Sequence, residues 1–174
     1  MKFIVRNLVK EDLPVIYKFI KDPEISNLIN YDNLESYESF TERYNLYFSG
    51  KSEDIKIFTI TIDDEVIGKM EIGYDLNDKT ALFDILIGDK KLWGKGLGKK
   101  SLNVLFSYGF NNLGLNRLAC EVYHYNERMI RFMDKMEMHI DGILREAQFI
   151  NGQYVDIFVF SKLRKEYEGD VFND

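Results

Sequence analysis

The sequence predicts an α/β (α+β) fold with a mixed, mostly antiparallel central sheet of about seven strands. Three observations lead to this prediction. Strand-like segments, in which apolar and polar residues alternate, are interleaved with helix-like segments, in which apolar residues recur every three or four positions. Short turn sequences between neighbouring strand segments indicate hairpins and therefore antiparallel pairs. One largely apolar strand precedes a glycine-rich turn and a helix, which is typical of a central strand.

The N-terminal part of the chain contains one strand pattern and two helix patterns. Residues 2–8 are strand-like, and residues 10–22 are helix-like, with Pro14 in the first turn and Pro23 just beyond the predicted end. Residues 34–50 place tyrosines and phenylalanines three or four positions apart and stop at a glycine, which predicts an amphipathic helix.

Three strands are predicted to follow in the middle of the chain. Residues 55–62 and 65–74 are strand-like, and Asp63 with Asp64 between them indicates a hairpin. Residues 80–88 form a third, largely apolar strand pattern, so this strand is expected at the centre of the sheet, where both of its faces are covered.

The C-terminal part continues with alternating helix and strand patterns. Residues 99–114 are helix-like, residues 117–126 are strand-like, and residues 127–138 are again helix-like. Two further strands are predicted on either side of Asn151 and Gly152, because Asn-Gly is the strongest short-range hairpin signal. The predicted element order is therefore β-α-α-β-β-β-α-β-α-β-β.

Composition restricts the class of protein. The chain has no Pro/Ser/Gly-rich linker and no internal repeat, so residues 1–174 are predicted to form a single domain. One cysteine excludes an intramolecular disulfide, and the sequence shows neither a signal peptide nor a long apolar run, so a cytoplasmic location without membrane contact is expected. The net charge of -6 argues against nucleic acid as the main partner, because neutralising phosphates needs a basic face.

The segment IGDKKLWGKGLGKKSL, residues 87–102, contrasts with this acidic balance. It brings three glycines (Gly94, Gly96 and Gly98) and five lysines together between a strand and a helix. Glycines let consecutive backbone N–H groups converge on one point, and the first turn of the following helix adds unpaired donors and a positive dipole end. The pattern therefore predicts a site for a phosphate or diphosphate, with solvated lysines on a tight connection as the alternative.

Neither of two common phosphate-binding motifs fits this segment. A Walker-type loop needs Gly, four residues and then Gly-Lys-Ser/Thr, a spacing that GKGLGKKS does not have. A dinucleotide-binding fingerprint needs Gly-x-Gly-x-x-Gly in a parallel βαβ unit, whereas here the glycines alternate and follow three hairpin-like strands.

The same segment resembles motif A of the GCN5-related N-acetyltransferase (GNAT) superfamily, whose consensus is Arg/Gln-x-x-Gly-x-Gly/Ala. Trp93 stands at the Arg/Gln position, and Gly96 and Gly98 are the paired glycines. The later segments YHYNERMIRFMDKMEM and ILREAQFINGQYVDIFVFS are similar to the RimJ/RimL branch and to bacterial spermidine acetyltransferases. The likeness covers nearly the whole chain and implies the GNAT fold, with helices on both faces of the sheet and a splayed cleft between its fourth and fifth strands.

The resemblance implies transfer of the acetyl group of acetyl-CoA to a primary amine by direct attack. The amine is a polyamine, an amino sugar or a protein N-terminus. The backbone of Leu86, Ile87 and Gly88 is expected to pair with the pantetheine arm. Asn126 matches an asparagine that contacts the arm or the acceptor, although a helix N-cap explains it equally well. The diphosphate is expected to lie against Trp93, Gly94, Lys95, Gly96, Leu97, Gly98 and Lys99.

Catalysis of this transfer needs a base for the amine and a proton for the leaving thiolate. Glu71 and Asp84 interrupt central strands, and an inward carboxylate costs stability unless it is paired or hydrated. Both are therefore candidate bases, with the solvent face of the sheet as the alternative. The tyrosine that serves as the acid in many relatives is replaced by Met133. The segment YHY, residues 123–125, is a nearby candidate, and solvent is another source of the proton.

Other chemistry and partners follow from the same reasoning. Cys120 lies in an apolar strand pattern and is predicted to be a packing residue rather than a nucleophile. No Cys/His cluster has metal-ligand spacing, so no metal is expected. The resemblance also allows a homodimer. The missing acid leaves one alternative of another class, a non-catalytic acetyl-CoA-binding module.

Overall fold

In the computed structural model, which describes residues 2–31 and 35–171, seven strands form the central sheet. The strands are β1 (Phe3–Asn7), β2 (Ile55–Ile62), β3 (Glu65–Asp75), β4 (Thr80–Ile87), β5 (Arg117–Tyr123), β6 (His139–Ile150) and β7 (Gln153–Leu163). Their spatial order is β1-β2-β3-β4-β5-β7-β6, and β4 pairs with β5 in parallel, whereas β1/β2, β2/β3, β5/β7 and β6/β7 are antiparallel. The predicted mixed, mostly antiparallel sheet is therefore confirmed.

The described part of the chain also forms six α-helices. They are α1 (Leu13–Ile20), α2 (Pro23–Ile29), α3 (Tyr37–Phe48), α4 (Leu97–Ser107), α5 (Glu127–Lys135) and α6 (Arg164–Val171). Four of these correspond to predicted helices, and α2 and α6 are additional. Residue 34, the predicted start of α3, lies outside the described residues. The helix begins after Ser36, whose hydroxyl accepts the N–H of Ser39 at 3.2 Å.

Helix α2 corrects the prediction at Pro23. The proline was expected only to follow the end of a helix, but it occupies the first turn of a new one. Asp22 caps this helix, because its carboxylate accepts the N–H groups of Glu24 at 3.0 Å and Ile25 at 3.3 Å. Proline is well suited to the first position of a helix, where its missing N–H would have no partner.

Both predicted hairpin turns are confirmed, and both use left-handed backbone. Asp63 and Asp64 have φ angles of 48° and 67°, and Asn151 and Gly152 have φ angles of 49° and 81°. Two consecutive residues with positive φ are the requirement of a type I′ turn, whose twist matches that of the strands it joins. The turns thereby fix the register of β2 with β3 and of β6 with β7.

Helix α5 ends earlier than predicted, at Lys135 instead of residue 138. The cause is Glu137, whose φ of 54° is left-handed and stops the helix. The N–H of the next residue, Met138, turns back to the carbonyl of Met133 at 3.1 Å. A glycine usually takes this position at a helix end, and Glu137 fills the same role with a side chain attached.

The residues group into two compact units. The first unit comprises the chain up to Tyr74 together with Asp84–Leu105, and the second comprises Asp75–Phe83 and the chain from Phe106 onward. The core of the first unit joins α1 and α3 to β2. Its buried residues are Leu8, Leu13, Ile16, Ile20, Phe40, Tyr44 and Ile57.

The second unit is held by aromatic contacts and by the β5–β7–β6 ladder. Phe83, Phe106, Phe110 and Tyr167 form a chain of rings whose neighbouring centroids are 5.9, 6.0 and 5.0 Å apart. Cys120 on β5 is 3% exposed, and its Sγ lies 3.4 Å from the Sδ of Met133 on α5. These two sulfur atoms pack α5 against the sheet, which fits the predicted packing role of Cys120.

Candidate active site

Hydrogen bonds of its own side chains and backbone hold the glycine-rich turn after β4 together. Asp89 accepts the N–H of Lys91 at 3.0 Å, and the N–H of Trp93 reaches the carbonyl of Lys90 at 3.2 Å. The indole N–H of Trp93 donates to the carbonyl of Ile87 at 2.6 Å. Through this bond Trp93 holds the turn against the end of β4. Its indole therefore has a structural role within the predicted diphosphate site.

Two glycines of this turn have backbone angles that favour glycine. Gly94 and Gly96 have φ angles of 76° and 78°, and a Cβ built on either would meet no atom within 4 Å. The space beside both residues is open, as a cradle for a ligand requires. The N–H of Lys100 bonds to the carbonyl of Gly96 at 3.1 Å, so α4 starts directly after it. The donors of the first helical turn then add to those of the glycine backbone.

The residues of this turn fit a diphosphate, although fewer lysines contribute than the sequence indicates. Lys90 forms ion pairs with Asp22 at 2.9 Å and Glu24 at 3.0 Å, so it holds the start of α2. Lys95 and Lys99 are exposed beside the glycines. Leu97 is 2% exposed, so only its backbone is able to face a ligand. The acetyl-CoA contacts of residues 93–99 stay a prediction.

Gly88 is required by close packing at the end of β4. A Cβ on this residue would lie 2.1 Å from Cγ of Phe19 on α1. Its N–H donates to the carbonyl of Ile67 on β3 at 2.8 Å. Close packing is sufficient to explain why residue 88 is a glycine. Because its N–H is already bonded to Ile67, the expected contact of Gly88 with the pantetheine arm would be made by its carbonyl group.

A cavity of about 380 Å³ lies within the first unit, between the helices α1 to α3 and the strands β2 to β4. Glu71 of β3 and Asp84 of β4, the two predicted bases, both line it. Leu86, whose backbone is expected to hold the pantetheine arm, lines it as well. The fold thus brings three of the predicted site residues to one cavity.

The charges in this cavity interact with one another. Lys69 Nζ lies 2.9 Å from Glu71 Oε2. Asp84 is exposed to solvent, and desolvation by the protein groups around it raises the pKa of its carboxyl above the ordinary value of 3.8. The positive charge of Lys69 opposes this rise, and the negative charge of Glu71 adds to it. The raised pKa makes Asp84 a candidate for proton removal.

A second charged group near the cavity was not found from the sequence. Arg43 of α3 lines the cavity and pairs with Glu35 at 2.8 Å, and its guanidinium lies 5.8 Å from the ring centroid of Tyr31. The Tyr31 hydroxyl donates to the Glu35 carboxylate. Burial and this carboxylate raise the pKa of Tyr31. The helical spacing of aromatic residues predicted the core face of α3, but it carried no signal for an arginine stacked on that face.

Lys69 was also not identified as a site residue from the sequence, although strand periodicity indicates which face of β3 it occupies. Residues two positions apart share one face of a strand, so Lys69 and Glu71 must point to the same side of β3. A carboxylate that is expected to face inward therefore predicts an inward lysine beside it. The pair satisfies the requirement that a charge away from bulk water has a partner.

The second unit contains the remaining predicted residues. Asn126 caps α5, accepting the N–H of Met129 at 3.1 Å, so the N-cap alternative is present in the structure. Tyr123 and Tyr125 stack with their ring centroids 5.3 Å apart. The Tyr125 hydroxyl is buried without a hydrogen-bond partner among the described residues, and burial raises the pKa of this phenol. His124 is exposed and accepts the N–H of Asp156 at 3.3 Å.

Met133, which the resemblance puts at the position of the tyrosine acid, is a core residue with 0% exposure. We expect Met133→Tyr to lower the free energy of unfolding by about 1 to 3 kcal/mol, because the ring and hydroxyl overpack the contact with Cys120. Urea titration at equilibrium measures this change. Met133→Leu is the volume-conserving control and is expected to cost less than about 1.5 kcal/mol. Equal stability of the tyrosine variant and the native chain would contradict the placement of this side chain.

Within residues 2–31 and 35–171, no three His, Cys, Asp or Glu side chains are grouped so as to hold a metal ion. None of the described helices is long and apolar enough to cross a membrane.

Comparison with known proteins gives consistent matches. Residues 2–139 match the family described as acetyltransferase (GNAT) domain. The chain is 26% identical to the uncharacterized N-acetyltransferase p20 of Bacillus licheniformis, over 97% of this chain and 96% of that protein. It is 31% identical to the spermidine N(1)-acetyltransferase of Escherichia coli strain K12, over 86% of this chain and 80% of that protein.

Among solved structures, the fold is similar to that of spermidine N-acetyltransferase from Vibrio cholerae in complex with CoA and spermine. The TM-score is 0.86 at 24% identity, and the match covers 95% of this chain and 98% of that one. At this identity the likeness establishes the shared fold. The identity of the acceptor has to be argued from the cavity itself.

Proposed function

Because this chain belongs to the acetyltransferase (GNAT) domain family, it is an acetyl-CoA-dependent N-acetyltransferase, and we propose that its amine acceptor binds in the cavity of Lys69, Glu71 and Asp84. One observation carries the proposal. Both predicted bases line the same cavity as Leu86, which is expected to hold the arm that ends in the thioester. The amine, the base and the acetyl group would therefore meet at this end of β4.

The charges of the cavity suit the first step of the reaction. A primary amine with a pKa of about 10 is almost fully protonated at neutral pH, so it must lose a proton before it attacks. Its ammonium form would bind between Glu71 and Asp84. Asp84 would then take the proton, directly or through water, because its pKa is raised above the ordinary value of a carboxyl group.

Binding of the co-substrate would use the backbone around the glycine-rich turn. Acetyl-CoA supplies the acetyl group as a thioester. The backbone at Gly94 and Gly96 and the first turn of α4 would hold its diphosphate, and Leu86 and Ile87 would pair with the arm. Asn126 would contact the arm while it also caps α5. Met133 has no proton to donate, so solvent would protonate the leaving thiolate.

A small amine is favoured over a protein N-terminus. The cavity of about 380 Å³ falls in the range of small-molecule sites. Because relatives are named spermidine acetyltransferases, spermidine belongs among the acceptors to test. An amino sugar is the alternative of similar size.

The homodimer that the resemblance allows stays a prediction, as does the folding of the two units as a single domain.

Thiol release from acetyl-CoA over a panel of amines tests the proposal. Polyamines, monoamines, an amino sugar and a short peptide with a free N-terminus would be assayed between pH 6 and pH 9. We expect amine-dependent release of CoA with at least one small amine and none with the peptide. Tight binding of CoA without turnover on any amine would contradict the proposal and favour the binding module.

Removal of the charge of Glu71 is expected to shift the pH dependence in a defined direction. The negative charge of Glu71 raises the pKa of Asp84, so Glu71→Gln lowers that pKa and leaves Asp84 ionised at lower pH. The acidic limb of kcat/KM should move to lower pH by about 1 pH unit or less. The measurement is a pH profile of kcat/KM with saturating acetyl-CoA.

Glu65→Gln supplies the matched control, because Glu65 is exposed at the other end of β3. The control variant should keep the native profile. A shift of the Glu71→Gln limb to higher pH, or no shift at all, would show that Asp84 is not the titrating base.

A further inference from the structure

Lys69 lies beside the two carboxylates between which the ammonium group of an acceptor would bind. It shares one face of β3 with Glu71, and its Nζ is 2.9 Å from Glu71 Oε2. Both side chains line the cavity together with Asp84. The chain itself therefore places a cation beside the two carboxylates that would attract an ammonium group.

Lys69 keeps its charge in this position. Burial lowers the pKa of its ammonium group, but the neighbouring Tyr44, Glu71 and Asp84 raise it by more, and the net shift is upward. The side chain is 16% exposed, so dissolved salt screens its charge only weakly. Lys69 is thus a cation throughout the neutral pH range.

The charges on the cavity wall balance one further ammonium group. Lys69 offsets one of the two carboxylates Glu71 and Asp84, which leaves a single negative charge when both are ionised. Arg43 also lines the cavity, but its charge is paired with Glu35 at 2.8 Å. An acceptor with several ammonium groups would bring more positive charge than this wall balances. Like charges repel strongly where little water separates them.

The rest of the wall offers an apolar and aromatic surface. Helix α3 contributes Phe40, Tyr44 and Tyr47, and Tyr31 precedes that helix. Isoleucines from α1, α2 and β2 complete this part of the lining. Such a wall gives an apolar or aromatic body good contact, whereas the chain of a polyamine would have to place its further ammonium groups against it.

We propose that Lys69 is a specificity residue that disfavours polycationic acceptors and selects amines with one positive charge on an apolar or aromatic body. The inference rests on the proposed function, because it concerns the acceptor of the same cavity. The proposed acceptor preference distinguishes this chain from an enzyme whose cavity attracts polyamines. The ammonium group of Lys69 takes the position that a second ammonium group of the substrate would otherwise occupy.

Two acceptor pairs test the inference in the native enzyme. Butylamine and putrescine differ by one amino group, and phenethylamine and spermidine differ in both charge and body. We expect the native enzyme to have a higher kcat/KM for the monoamine of each pair. Lys69→Met should change the ratio of monoamine to polyamine by about tenfold or more in favour of the polyamine.

Two further variants separate charge from structure. Lys69→Arg keeps the cation and should keep the native ratio. Lys56→Met removes a lysine from β2, where Ile55 and Ile57 line the cavity and Lys56 points to the opposite face. This control should also keep the native ratio. A melting curve of each variant establishes that it is folded before the kinetics are compared.

The outcomes distinguish the inference from the proposed function. Absence of turnover on every amine overturns both. Turnover with a native preference for putrescine over butylamine overturns the inference alone, whether or not Lys69→Met folds. An unchanged ratio in folded Lys69→Met, or the same change in Lys56→Met, also overturns it.

Discussion

Asp84→Asn is expected to lower kcat/KM for acetyl transfer by about a hundredfold to ten-thousandfold, the usual contribution of a positioned base. The amide keeps the shape of the side chain but cannot accept the proton of the ammonium group. Turnover should then depend on the small fraction of neutral amine in solution, so the remaining rate should rise with pH toward the pKa of the acceptor, about 10. Steady-state kinetics from pH 6 to pH 9 measure both effects.

The matched control for this variant is Asp64→Asn. Asp64 is exposed in the β2–β3 turn with a φ of 67°, a conformation that asparagine tolerates well. Both variants should bind acetyl-CoA like the native chain in calorimetry. If Asp84→Asn kept at least a third of the native kcat/KM, the base would have to be sought elsewhere, with Glu71 as the first candidate.

Gly96→Val is expected to weaken acetyl-CoA binding by about a hundredfold or more, while the chain still folds. A β-branched residue at a φ of 78° is strained by about 1 to 3 kcal/mol, and the turn relieves the strain by rotating its peptide groups. The N–H groups that would converge on the diphosphate are then misdirected. Because no atom lies within 4 Å of the added Cβ, the effect does not come from a clash in the core.

Gly50→Val separates backbone strain from ligand binding. Gly50 follows α3 with a φ of 72°, and its Cβ position is equally open. The two variants should lose similar stability in urea titration, and only Gly96→Val should lose affinity in calorimetry. Native affinity in Gly96→Val would remove the glycine-rich turn from the acetyl-CoA site.

The elements that the sequence predicted well are those whose signals are local. The turn pairs Asp63–Asp64 and Asn151–Gly152 adopt left-handed backbone because of their own residue types, so both hairpins follow from the sequence. The predicted strand at residues 55–62 coincides with β2. Helix α2 was missed because Pro23 is both a stop signal for one helix and a start signal for the next, and periodicity over seven residues is too weak to decide.

The candidate site also contains residues that the sequence identified and residues that it did not. Glu71 and Asp84 were identified because acidic residues are rare within apolar strands. Lys69 shares the face of Glu71 by strand periodicity, but the pair of Arg43 with Glu35 depends on which faces meet across the cavity. The same holds for Lys90, which is one of the five lysines of the glycine-rich segment but pairs with Asp22. Packing decides which residues of distant segments pair with one another, and a single sequence gives little information about these pairs.

By itself the sequence determined the mixed α/β class, the glycine-rich turn and the two acidic candidates, because each rests on the chemistry of residues close together in the chain. Only the tertiary structure decided that Lys69, Glu71 and Asp84 line one cavity, and that Met133 is buried against Cys120. The physical reason is that charge balance and burial are properties of a cavity or a core. They arise when strands and helices that are far apart in the chain pack together.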